Sequence, residues 1–205
     1  MQAALECWEG GIRATGGAIV LAKSHWYLVD FAWKNGAWQY ASIQNTPAEL
    51  HVQDANGTFS PIKCLPVTKA HQTLVVRLAP NGNNKEEYNY LCSQAQSWQE
   101  QVCTGHLPRH LAWQALQSSL LPKLKYPLSA TTFSRQACNK ILGPALLAGL
   151  PASGIMRTFP QMLTHTPTAG CGLNIPNLNT EQGLSHIEML LSHGHREADI
   201  TGKLL

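Results

Sequence analysis

The chain has 205 residues, of which 44% are hydrophobic and only 13% charged, and its formal net charge is +3. That length can bury a substantial core in one domain or two small ones, and the shortage of charge implies apolar surface that a partner or further chain covers. There is no apolar run of about 18 residues, and the start "MQAALECWEGGIRATGG" has no apolar signal core, so a spanning helix and a secretion signal are both excluded.

Taken in chain order, "ALECWEGGIRATGG" reads as a helix ended by Gly16-Gly17, with Ala4, Leu5, Trp8 and Ile12 on one stripe. The helical pattern is under way by residue 2, which suggests an earlier beginning. In "SHWYLVDFAWKNGAWQYASI", Tyr27, Val29, Phe31 and Trp33 alternate before Asn35-Gly36, and Trp38 and Tyr40 alternate after it. Asn-Gly takes the positive φ angles of a type I′ turn, so this stretch is a β-hairpin. A second hairpin is expected to turn at Asp54–Gly57, and "TLVVRLAP", residues 73–80, reads as a fifth strand in one antiparallel sheet with the first helix on its face.

The pattern then becomes helical. Asn84 followed by Glu87 predicts an N-terminal cap for a helix carrying Tyr88, Leu91, Ala95, Trp98 and Val102. A second helix opens at Pro108 and is expected to end at Pro122; a third starts near Ser134 and meets Gly143-Pro144, which should kink it. A last helix, "NTEQGLSHIEMLLSH", is expected to be capped by Asn179 or Thr180. Trp98 and Trp113 fall on apolar stripes and read as core. The order gives an α+β class.

Charge is segregated. Residues 1–100 carry seven Lys/Arg and eight Asp/Glu; residues 101–180 carry six Lys/Arg and no acid; residues 181–205 carry two and four. A proportional share of the twelve acids would put between four and five in the acid-free span. A surface of one sign attracts a polyphosphate backbone, whereas bases scattered over several faces would not.

Catalytic signatures are lacking. Two-metal phosphoryl transfer needs converging carboxylates, and the only aspartates, Asp30, Asp54 and Asp199, are far apart in sequence. There is no G-x-S-x-G and no phosphate-binding G-x-x-x-x-G-K-[ST]. His186, His193 and His195 with Cys171 fit no common zinc spacing and read as surface histidines. The six cysteines form no C-x-x-C pair, so they read as reduced and mostly buried small hydrophobes.

The motifs "WEGGIRATGGAIVLAKSHWYLVDFAWKNGAWQY", "TKAHQTLVVRLAPNGN", "TGHLPRHLAWQALQSSLLPKLKYPL" and "GLPASGIMRTFP…GCGLNIPNL…EQGLSHIEMLL" together resemble reverse-transcriptase-like open reading frames of non-LTR retrotransposons. The resemblance runs in order over nearly the whole chain. It implies a partial palm over residues 1–83, a helical thumb over 84–149, and a C-terminal connection with helices over 150–205. Lys23 matches a recurrent basic palm position, and "TLVVRLAP" is similar to the primer-grip strand. The catalytic Tyr-x-Asp-Asp box lies outside the chain, so no cofactor is expected here; magnesium would be held by residues absent from it. Val75 departs from the family pattern, which has Gly after Leu, and a β-branched side chain there would obstruct a close backbone approach.

A thumb closes over a template–primer duplex and touches mainly phosphates, which accounts for the missing acids. The resemblance therefore implies an RNA template and a DNA primer as partners, together with the remainder of the polymerase. The residues expected to touch nucleic acid are Arg109, Lys123, Lys125, Arg135, Lys140 and Arg157, on one continuous surface, with Lys23 in the palm. The location would be intracellular, nuclear or cytoplasmic. Two other functions are open: a decayed or domesticated stand-alone interaction module, and, third, a small metal-dependent hydrolase using the histidines.

Overall fold

The structure, a computed structural model, describes residues 1–41, 49–53 and 57–194. The chain is α+β and divides into two compact units, the first being residues 1–71 with 79–83 and the second residues 72–78 with 84–205. No helix among the described residues is long and apolar enough to cross a membrane.

The first unit opens with α1 (Gln2–Ala14) and continues through short strands: β1 (His25–Tyr27), β2 (Phe31–Lys34), β3 (Ala37–Tyr40), β4 (His51–Gln53), β5 (Phe59–Pro61) and β6 (Lys63–Leu65). β2 and β3 form the expected hairpin, Trp33 opposite Trp38, with Asn35 and Gly36 at φ 52° and 76°. β4 and β5 form the second; residues 54–56 of its turn lie outside the described residues. The single antiparallel sheet is not formed. The strands make separate two-stranded pairs, and β1 joins β6 in parallel. Strands of three or four residues are too short to build a wide sheet, and the expected run from Tyr27 to Trp33 is interrupted at 28–30.

The face of α1 also differs from expectation. Trp8 is exposed and Glu9 is buried. The Gln2 side chain accepts from the His51 amide at 3.0 Å and donates to the His51 carbonyl at 2.9 Å. Glu9 Oε1 accepts from the Gln53 amide at 3.1 Å, and Arg13 donates to the Gln53 carbonyl at 3.0 Å while pairing with Glu9 at 2.9 Å. Backbone groups on β4 need partners, and satisfying them outweighs burying Trp8. Leu50, Val52, Ile62, Leu65, Val67 and Ala70 are the buried apolar residues of this unit among the described residues.

Residues 73–80 do not form one strand. β7 (His71–Thr73) and β8 (Val76–Leu78) pair with each other across Leu74-Val75, which sit at φ 49° and 78°. A two-residue hairpin loop with both angles positive favours Asn-Gly, and a β-branched residue there is strained. A Gly at position 75 would suit this angle.

The helices follow: α2 (Lys85–Thr104), α3 (Arg109–Ala115), a π-helical turn at Leu116–Leu120, α4 (Leu121–Lys125), α5 (Arg135–Ala152), α6 (Gln161–His165) and α7 (Leu178–Gly194). Pro122 does not end its helix. The π turn before it changes the hydrogen-bond phase, and Pro122 falls in the first turn of α4, where a missing N–H is tolerated. α5 likewise continues through Pro144 and Pro151, and it is capped as expected, Ser134 accepting from the Ala137 amide at 3.2 Å. Two other caps differ. Asn84 makes no side-chain cap and instead donates to the Thr132 carbonyl, while Asn177, not Asn179 or Thr180, accepts from the first amides of α7.

Leu91, Leu116, Leu120, Leu124, Leu128, Ile141, Ile175 and Leu178 form the core of the second unit, with Trp98 and Trp113 packed half-buried at its margin. Of the six cysteines only Cys138 is buried, where burial pushes its thiol pKa up; Cys7, Cys103 and Cys171 are exposed. The expectation of mostly buried cysteines is thus corrected, because those three fall on outward faces or turns.

Two stability effects are expected. A Cβ on Gly149 would stand 3.1 Å from Trp98 and 3.2 Å from Leu116, so Gly149→Ala should destabilise by about 1–2 kcal/mol in denaturant melts. Val75→Gly should stabilise by about 1 kcal/mol, the relief of strain exceeding the added chain entropy.

Candidate nucleic-acid interface

The bases of the acid-free span lie on α3, α4, α5 and the chain after α5, all in the second unit. Arg109, Lys123, Lys125, Arg135, Lys140 and Arg157 are exposed. They fall into two groups.

The first group is held together by a relay of polar contacts. Lys125 pairs with Glu181 at the start of α7. The next residue, Gln182, is buried; its side chain accepts from the Phe133 amide at 2.8 Å and donates to the Phe133 carbonyl at 3.1 Å. Arg135 begins α5 two residues later, and Lys123 lies half a turn before Lys125 on α4. His186 adds a further tie, its Nε2 lying 3.1 Å from the carbonyl oxygens of both Leu128 and Thr131.

The second group is at the far end of α5. The Arg109 Cδ lies 3.0 Å from where a Cβ on Gly154 would stand, so the guanidinium arm crosses the turn that ends the helix. Arg157 follows three residues after Gly154, and His106 and His110 flank Arg109 in sequence, both exposed. α5 has 18 residues, so the two groups are about 27 Å apart along its axis. Lys140 lies between them, nearer Arg135. A span of about 27 Å equals roughly eight base-pair rises of a duplex at 3.4 Å each.

Sequence reading missed one partner. The span 101–180 has no acid of its own, yet the fold returns Glu181 to Lys125. No ion pair among the described residues involves Arg109, Lys123, Arg135, Lys140 or Arg157. A second element without a sequence signal is Arg77 on β8. Its guanidinium lies 3.7 Å over the Tyr90 ring, and its amide donates to the buried Glu87 carboxylate at 2.8 Å. Glu87 therefore braces β8 against α2 and is not the back-reaching half of a capping box.

Lys23 ends a short 3-10 turn at Leu21–Lys23 in the first unit and is exposed. Asp30 accepts from the Phe31 amide at 2.9 Å; Asp54, Asp199 and His195 lie outside the described residues. Cys171 sits on an exposed turn, and His186 is engaged by carbonyls as above. No cluster of three or more metal-binding side chains occurs among the described residues.

No protein-family model matches the chain, and no curated protein or solved structure is significantly similar to it.

The Lys125–Glu181 pair joins side chains 50% and 24% exposed, so it is only partly screened. A double-mutant cycle with Lys125→Ala and Glu181→Ala should give a coupling of about 0.5–1 kcal/mol in denaturant melts, falling as salt is raised.

Proposed function

We propose that the chain is the C-terminal palm–thumb part of a non-LTR retrotransposon reverse transcriptase, an RNA-directed DNA polymerase of the nucleus or cytoplasm. Its role is to hold an RNA template and a DNA primer. Catalysis and the magnesium ions belong to polypeptide outside these 205 residues. The observation that carries the reading is the set of exposed bases on α3, α4 and α5 that have no acid partner among the described residues. Such Lys and Arg side chains neutralise phosphates and release counterions, giving affinity without reading sequence. The order of motifs along the chain supports the same assignment.

Binding of a template–primer duplex to the purified protein should weaken steeply with salt. Lys123→Ala and Arg109→Ala should each reduce the slope of log affinity against log salt by about one. Glu181→Gln should do the reverse, tightening binding and steepening the slope, because it frees Lys125 for a phosphate. Affinity and slope unchanged in all three variants would overturn the reading and leave the stand-alone interaction module in its place.

A further inference from the structure

Two surfaces of the second unit are unexplained by nucleic-acid binding, and they are complementary. The first is the outer face of α7. Its inner face is buried through Leu178 and Gln182, yet Leu184, Ile187 and Leu191 line the opposite side at helical spacing and are 57%, 55% and 59% exposed. A helix apolar on two faces is covered on both. The described charges on this helix are Glu181 and Glu188, both acidic, and Glu181 is already paired with Lys125.

The second surface is a groove of about 300 Å3 between the last turns of α2 and α5, lined by Val102, Cys103, Leu107, Leu147 and Pro151, with His106 at its wall. That volume is at the low end of ligand-sized pockets. His106 is fixed there by a left-handed backbone, φ 45°. Leu107 and Leu147 are 40% and 47% exposed. Arg109 and His110 follow on the next turn, and Lys140 lies two turns before Leu147 on the same side of α5. Glu100, one turn before Cys103 on α2, is the acid nearest in sequence.

We propose that these surfaces bind each other between copies: the outer stripe of α7 in one copy seats in the α2–α5 groove of the next. Charge selects this pairing over α7 against α7. The groove lining carries no acid to repel Glu188, whereas a symmetric helix pair brings two acidic helices together. The two surfaces cannot meet within one copy. Gln182 of α7 is tied to Phe133 at the start of α5, and the groove is made by its last turns, about 20 Å away. The contact therefore joins separate copies, closing at two where it is made reciprocally and extending head-to-tail where it is not.

Sedimentation of the 205-residue protein over a range of concentrations tests this. The mass should rise above the 22.4 kDa of one chain as concentration is raised. Ile187→Glu and Leu147→Glu, both at exposed positions, should each be monomeric with unchanged melting. Mixed, they should give a single 1:1 dimer, because each retains the surface the other has lost. With one variant isotopically labelled, Cys103 should be shielded from alkylation in the Ile187→Glu copy alone. A monomeric wild type, association that survives Leu147→Glu, or failure of the mixture to associate would overturn the proposal.

Discussion

α2 and α5 meet where Trp98 lies over Gly149, and the helical unit depends on how closely they approach there. A Cβ at that position would stand 3.1 Å from the indole and 3.2 Å from Leu116, so those two side chains would have to shift by a few tenths of an ångström to admit it. Leu116 is fully buried and begins the π turn that leads to Pro122 and α4. The spacing of α2 and α5 thus bears on where α4 presents Lys123 and Lys125. It also sets the width of the groove at the far end, since the same two helices form its walls.

Electrostatically, the unit is less one-sided than its acid-free span. Glu181 comes from the C-terminal segment and neutralises one base of six, and Glu87 is spent on the β8 backbone and Arg77. Arg109, Lys123, Arg135, Lys140 and Arg157 are left exposed and, among the described residues, without an acid partner.

Features decided by neighbours in sequence were legible. Asn35-Gly36 specifies its turn from two residues, Ser134 caps α5 through an amide three residues on, and the pairing of β4 with β5 follows from the short loop between them. Features decided at a distance were not. Trp8 looks like the apolar anchor of α1, but Glu9 is drawn inward by an amide 44 residues away. "TLVVRLAP" alternates like a strand, yet it folds back on itself at Leu74-Val75 against the preference of both residues. The acid-free span was found by composition; the partner that silences Lys125 was not, because it lies 56 residues further on.

The clamp that α1 places on β4 has a consequence for how the protein behaves in company. Gln2, Glu9 and Arg13 occupy both the donors and the acceptors of His51 and Gln53. A strand edge in that condition offers nothing to an extended segment from another molecule. Three polar side chains of a helix thus do what a neighbouring strand would otherwise do, and they guard this edge of β4 against the edge-to-edge joining by which short-stranded proteins aggregate.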